Sequence, residues 1–178
     1  MRNTKDQWLV YGDSDLKLEG YTDSSFQSDQ DDSKSVSGYI FTLKGGAICW
    51  KSSKQHTVAD STCEAEYIAA SDAAKKAVWL RKFITELGVT PSIDGPVPVF
   101  CDNTGAIAQA REPKAHQRTK HILRRYHLVR EIIDRGDIDL QKIDTKENLA
   151  DPFTKVLGIK EFDEHKSKMG IRYCADWH

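Results

Sequence analysis

Between residues 65 and 87 an apolar residue returns every three or four positions: Ala65, Ala69, Ala73, Ala77, Leu80, Ile84 and Leu87. That spacing brings each side chain back to one face of a helix, so the segment is a long helix with a single buried stripe. Gly88, directly after the last member, sits where such a helix ends.

The elements around this helix are shorter and read as strands. LKLEGYTD (16–23) carries bulky residues in loose alternation and ends at Asp23. A polar loop follows, in which Asp29, Asp31 and Asp32 stand among serines and are expected to be solvated. SGYIFTL (37–43) and AICWKSS (47–53) flank Lys44-Gly45-Gly46, the signature of a hairpin. Three strands in succession predict an antiparallel meander. VPVFCD (97–102) reads as a buried strand, with a short helix over 103–110 after it. Ile122, Tyr126, Val129 and Ile133 space a second long helix over 117–135, and IDLQKI (138–143) is a last strand. Asp151-Pro152 predicts a further helix, capped by the acid and opened by the proline. The expected layout is a tail over 1–7, one domain over 8–157 and a helical tail over 158–178.

Composition narrows the setting. At 178 residues and 39% hydrophobic content the chain suits one globular domain. It has no apolar run near the roughly 20 residues of a membrane-spanning helix and no signal-like start, so an intracellular, cytoplasmic protein is expected, virus-like particles included. Cys49, Cys63, Cys101 and Cys174 lack the paired spacing of a zinc site and read as reduced thiols. The net charge of -1 hides segregation: from Arg111 to Arg130 seven Lys or Arg residues face the single acid Glu112. Such a stripe suits a polyanion.

Four acids fall at element boundaries: Asp23, Glu66, Asp102 and Asp151. Strands ending at Asp23 and Asp102, if parallel neighbours, would bring both carboxylates to their carboxyl ends, where such sheets place ligands. Clustered carboxylates suit magnesium, and two hard cations about 3.5–4 Å apart neutralise the attacking and leaving oxygens when a phosphodiester is hydrolysed. Each acid also has a plainer use. Asp151 fits an ordinary helix cap, and Ser61 followed by Glu64 is a capping-box pattern that competes with Glu66 for attention.

YTDSS (21–25), SGYIFTL (37–43), STCEAEYIAAS (61–71), CDNTGAI (101–107), QRTKHILRRYHLVRE (117–131) and ENLADPFTK (147–155), in this order, resemble the ribonuclease H domain of copia-type LTR retrotransposon Pol polyproteins over about residues 8–174. The resemblance implies an α/β ribonuclease H-like fold: a five-stranded mixed sheet, three strands antiparallel and two parallel, flanked by helices. It implies an endonuclease that cuts the RNA strand of RNA–DNA hybrids, with two Mg2+ ions (or Mn2+) held by Asp23, Glu66, Asp102 and Asp151. On this motif Glu66 is the ligand and Glu64 the structural acid. It further implies that Ser24, Ser25, Thr62, Cys63, Asn103 and Thr104 adjoin the hybrid's minor groove, where 2′-hydroxyls are sensed by polar contacts. The polymerase region of the same polyprotein is the implied partner.

Lys114, Arg118, Lys120, Arg124 and Arg125 would grip phosphates in a salt-sensitive, sequence-independent way; the plainer reading is a solvated helix face. The sequence departs from cellular ribonucleases H in IDTKENLAD (143–151), which lacks the histidine those enzymes carry before the last acid. His121 is a weak substitute, and His116 and His127 have no evident chemical role. Two other classes compete: a retired, non-catalytic nucleic-acid-binding domain, against which an intact acid set argues, and an integrase, whose acid order differs.

Overall fold

The computed structural model describes residues 5–12, 16–29, 31–88, 95–111 and 120–174, with the backbone alone for 120–126. Its elements run β1 (Gln7–Leu9), β2 (Leu18–Ser25), β3 (Val36–Leu43), β4 (Gly46–Lys54), α1 (Thr62–Leu87), β5 (Val97–Cys101), α2 (Thr104–Arg111), α3 (Lys120–Asp134), β6 (Ile138–Lys142), α4 (Ile159–Lys168) and β7 (Ile171–Tyr173).

Five strands form one mixed sheet in the order β4-β3-β2-β5-β6. The β2–β3 and β3–β4 pairs are antiparallel, whereas β5 lies parallel to both β2 and β6. The expected meander and parallel pairing are therefore both present. Thr22 pairs with Cys101, so Asp23 and Asp102 each stand one residue beyond that pair, at the same end of the sheet.

The two faces of the sheet carry different cores. Phe41, Val99 and Leu140 pack toward α1, α2 and α3, joining Ala73, Ala77, Leu80, Ile107, Val129 and Ile132 in the main cluster. Ile40, one residue from Phe41 and so on the opposite face, packs with Ala47, Leu149 and Met169. Ala65, Ala69, Ala73 and Ala77 are all fully buried, and their small size lets α1 lie close on the strands. Ser61 caps α1 by accepting a hydrogen bond from the Glu64 backbone N–H, and Gly88 ends it in the left-handed conformation at φ 61°.

Three expectations need correction. Leu87 is exposed, bordering a surface groove with Trp79 and Phe83, because the last turn of α1 runs past the core. On α3 the buried partner of Val129 is Ile132, while Ile133 is only partly covered. Asp151-Pro152 opens a single 3-10 turn, Asp151–Phe153, and the next α-helix begins only at Ile159.

The chain ends are tied together. β1 pairs antiparallel with β7, matching Gln7 to Tyr173 and Leu9 to Ile171. The Val10 N–H donates to the Gly170 carbonyl at 2.8 Å, extending this ribbon, and the Ala47 N–H of β4 donates to the Met169 carbonyl at 2.9 Å, tying it to the main sheet.

Candidate metal centre and active site

At the carboxyl end of β2 and β5 the fold gathers the acids. Ligand atoms of Asp23, Asp102 and Asp151 lie within 4.8 Å of one another, and those of Glu66, Cys101 and Asp102 do the same. Asp102 belongs to both groups, so the four acids singled out in the sequence form one continuous cluster. Asp23 and Asp102 arrive on neighbouring parallel strands, Glu66 from the second turn of α1, and Asp151 from the 3-10 turn after β6.

Each acid is held by neighbours. The Ser24 backbone N–H donates to Glu66 Oε1 at 3.1 Å, tying α1 to the end of β2. The Thr145 hydroxyl donates to Asp102 Oδ2 at 2.8 Å, and the Lys142 ammonium donates to the Asp102 backbone carbonyl. The Thr154 hydroxyl donates to Asp23 Oδ2. Lys155 Nζ lies 3.2 Å from Asp23 Oδ1 and 3.2 Å from Asp151 Oδ1. Glu64 instead turns back to the helix start, where its carboxylate accepts the Asp60 backbone N–H at 2.7 Å. It is thus a capping acid, separate from the cluster.

Two further contacts place the last acid. Asn148, fully buried, donates from Nδ2 to the Thr22 carbonyl at 3.0 Å and accepts the Ala150 N–H at 3.1 Å, docking the segment onto β2 beside Asp23. Gly38 makes room for that segment: a Cβ there would stand 2.8 Å from Phe153 Cβ and 2.8 Å from Thr154 Cγ2. The Ser52 hydroxyl adds a bond to the Phe153 carbonyl at 2.6 Å.

Burial and mutual repulsion shape the charges. Burial pushes the Asp23 carboxyl up to about 6, with Thr154 and Lys155 pulling the other way and Asp151 and Asp102 adding to the rise. Burial, then the charges of Asp23 and Asp102, lifts Glu66 to about 8. Asp151 is raised by burial against the pull of Lys155. Burial opposes the charge of Lys155, yet the carboxylates of Asp23 and Asp151 outweigh it and hold its ammonium above the usual range. Buried acids that resist ionising together are short of positive charge. Their hard oxygen donors fit a divalent cation. The thiol of Cys101, pushed up to about 12 by burial and then by Glu66, stays protonated and adds little as a ligand beside them.

Of the small polar residues expected beside the acids, Ser24 touches the cluster through its backbone N–H on Glu66. Ser24 is buried and Ser25 partly buried, while Thr62 and Thr104 are exposed. The Cys63 thiol donates to Gln109 Oε1 at 3.5 Å, and Asn103 Oδ1 caps α2 by accepting the Ala106 N–H at 3.0 Å. Lys114, His116 and Arg118, and the side chains of Lys120, His121, Arg124 and Arg125, lie outside the described residues. His127 is exposed. Lys155, Thr154, Thr145 and Asn148 were not anticipated as parts of the site, although three of them stand inside the ENLADPFTK segment.

This sheet order, with acids closing the ends of its two central parallel strands, places the protein in the ribonuclease H class of α/β folds. LC11-RNase H1, solved in complex with an RNA/DNA hybrid, aligns over 78% of this chain and 94% of its own at TM-score 0.56 and 18% identity. RNase H1 from the archaeon Halobacterium salinarum aligns over 83% and 98% at TM-score 0.54 and 15% identity. By sequence, the chain is 43% identical over 171 residues to the retrovirus-related Pol polyprotein from transposon TNT 1-94 of Nicotiana tabacum. It is 35% identical over 156 residues to that of transposon RE1 of Arabidopsis thaliana, and 32% identical over 170 residues to the Ty1-DR1 Gag-Pol polyprotein of Saccharomyces cerevisiae. These alignments cover 96%, 88% and 91% of this chain but only 13%, 10% and 9% of the polyproteins. No family model matches the chain. Its relatives in sequence are thus retrovirus-related transposon Pol polyproteins, of which it spans a small part, and its neighbours in structure are ribonucleases H.

Proposed function

We propose that the protein is a divalent-metal-dependent ribonuclease H that hydrolyses the RNA strand of RNA–DNA hybrids during reverse transcription of a copia-type retrotransposon. The carrying observation is the convergence of Asp23, Glu66, Asp102 and Asp151 at one end of the sheet. Those four would hold two ions, with magnesium the natural choice and manganese the alternative. Ions so placed supply neutralisation of the attacking and leaving oxygens of the phosphodiester.

The chain's own residues keep the acids in place for that chemistry. The Ser24 N–H fixes one oxygen of Glu66, Thr145 one of Asp102 and Thr154 one of Asp23, while Lys155 spans the other oxygen of Asp23 and one of Asp151. Around them Ser24, Ser25, Thr62, Cys63, Asn103 and Thr104 would meet the hybrid across its shallow groove by polar contacts. Arg118, Lys120 and Arg124 would hold phosphates. The polymerase region of the same polyprotein is the partner this reading implies, in the cytoplasm or in virus-like particles.

The test is cleavage of a hybrid labelled on its RNA strand, with magnesium, with manganese and with chelator. Metal-dependent cutting that leaves duplex DNA intact supports the proposal. Hybrid binding without cutting under either metal would replace it with a binding-domain reading.

A further inference from the structure

The most unusual member of the cluster is a cation. Lys155 Nζ sits 3.2 Å from one oxygen of Asp23 and 3.2 Å from one oxygen of Asp151, whose side chains are 1% and 4% exposed. The lysine itself is 36% exposed, so its stem reaches in from the surface. The Lys155 backbone N–H donates to the Asp151 carbonyl at 3.0 Å, a helical turn that aims the side chain back over the acids. An ammonium is a compact point charge with three donors, and two of them are spent here.

A hard divalent cation seeks the same oxygens. It and an ammonium cannot share both carboxylates, since like charges at that separation repel strongly in a partly buried site. We propose that Lys155 is a built-in counter-cation of the acid cluster, displaced when a divalent ion binds, and that it thereby sets the metal concentration at which the site loads. The inference rests on the metal-site reading above. Its exposed stem gives the side chain a route outward, so displacement needs only a rotamer change.

The test measures metal binding itself. Mn2+ is titrated into the intact chain by calorimetry, comparing wild type with Lys155→Met and with Lys75→Met. Lys75 serves as control because its ammonium pairs with Asp72, outside the cluster. Displacement predicts at least tenfold tighter Mn2+ binding in Lys155→Met and less than threefold change in Lys75→Met. Should Lys155→Met fail to fold, wild type answers alone: labelling of Lys155 by an amine-reactive probe, read by mass spectrometry, should rise severalfold on adding Mn2+. Equal or weaker binding in a folded Lys155→Met, equal gains in both variants, or labelling indifferent to bound Mn2+ overturns the inference while leaving the metal site intact. Absence of Mn2+ binding in wild type and both variants overturns the metal site and the inference together.

Discussion

Asp23 and Gly38 face one another across the antiparallel β2–β3 pair, and the side chain that Gly38 lacks leaves the room in which Phe153 and Thr154 sit, with the Thr154 hydroxyl on Asp23. A methyl at position 38 would collide with Phe153 and Thr154, which cannot retreat without lifting Asp151. Gly38→Ala should therefore cost about 1–3 kcal/mol of stability, as overpacking does, and weaken divalent-ion binding as well. Urea denaturation with a parallel Mn2+ titration checks this; loss of stability with unchanged metal affinity would show that the segment moves as a unit without disturbing the acids.

Glu64 and Glu66 are two residues apart and have opposite duties. Asp102→Asn or Glu66→Gln should lower hybrid cleavage by more than about a hundredfold, beyond what outer partners of metal ligands commonly cost, with the fold preserved. Glu64→Gln should leave cleavage within a few-fold and cost roughly 0.5–2 kcal/mol through the weakened cap. Cleavage rates beside circular dichroism melts separate the two roles. Comparable loss of cleavage in Glu64→Gln would assign it to the site.

The raised carboxyls give the protein a pH signature in chelator. Glu66, near 8 when folded against an ordinary 4.5, holds a proton that the unfolded chain releases. Asp23, near 6 against 3.8, adds to this. Below about pH 3 both states are protonated and nothing is lost; as pH rises toward 8 the unfolded chain has released protons that the folded state still binds, so stability falls. The loss should be on the order of 5 kcal/mol, or roughly 10–20 °C in Tm, between pH 5 and pH 8.5. Saturating Mg2+ or Mn2+, binding only the folded state, should flatten that slope. A chelated protein whose Tm does not fall over this range would mean that the cluster is better solvated than its burial indicates.

Asn148 is buried with both ends of its amide engaged, one on the Thr22 carbonyl and one on the Ala150 N–H. Asn148→Ala strands both groups and should cost about 1–3 kcal/mol. Because the lost bonds anchor the segment that carries Asp151, metal affinity should fall too. Denaturation and Mn2+ calorimetry on this variant together show whether the docking is local.

Much of this was legible in residue order. The alanine stripe fixed α1, the Lys44-Gly45-Gly46 turn fixed the hairpin, and acids at the ends of two strand-like runs pointed to a shared cluster once those strands were taken as parallel neighbours. The partners of the acids were not legible, because Thr145, Thr154 and Lys155 matter through distances set by tertiary packing rather than by any period. Asp151 misled as a helix cap: a proline after an acid opens a 3-10 turn as readily as an α-helix, and only docking by Asn148 decides between them. β1 and β7 escaped notice because three-residue strands are too short to show alternation, and each exists through the other.

The acids are also spread over most of the chain, at Asp23, Glu66, Asp102 and Asp151, which makes assembly of the site a matter of timing. Chains emerge amino end first and tend to fold as units. Asp23, Glu66 and Asp102 can take their places on the sheet while Asp151, with Asn148 and Lys155, is still unmade. A nascent chain halted before residue 148 carries three of the acids and neither the fourth nor its lysine. The acid cluster is thus completed only once residues 148–155 have been made.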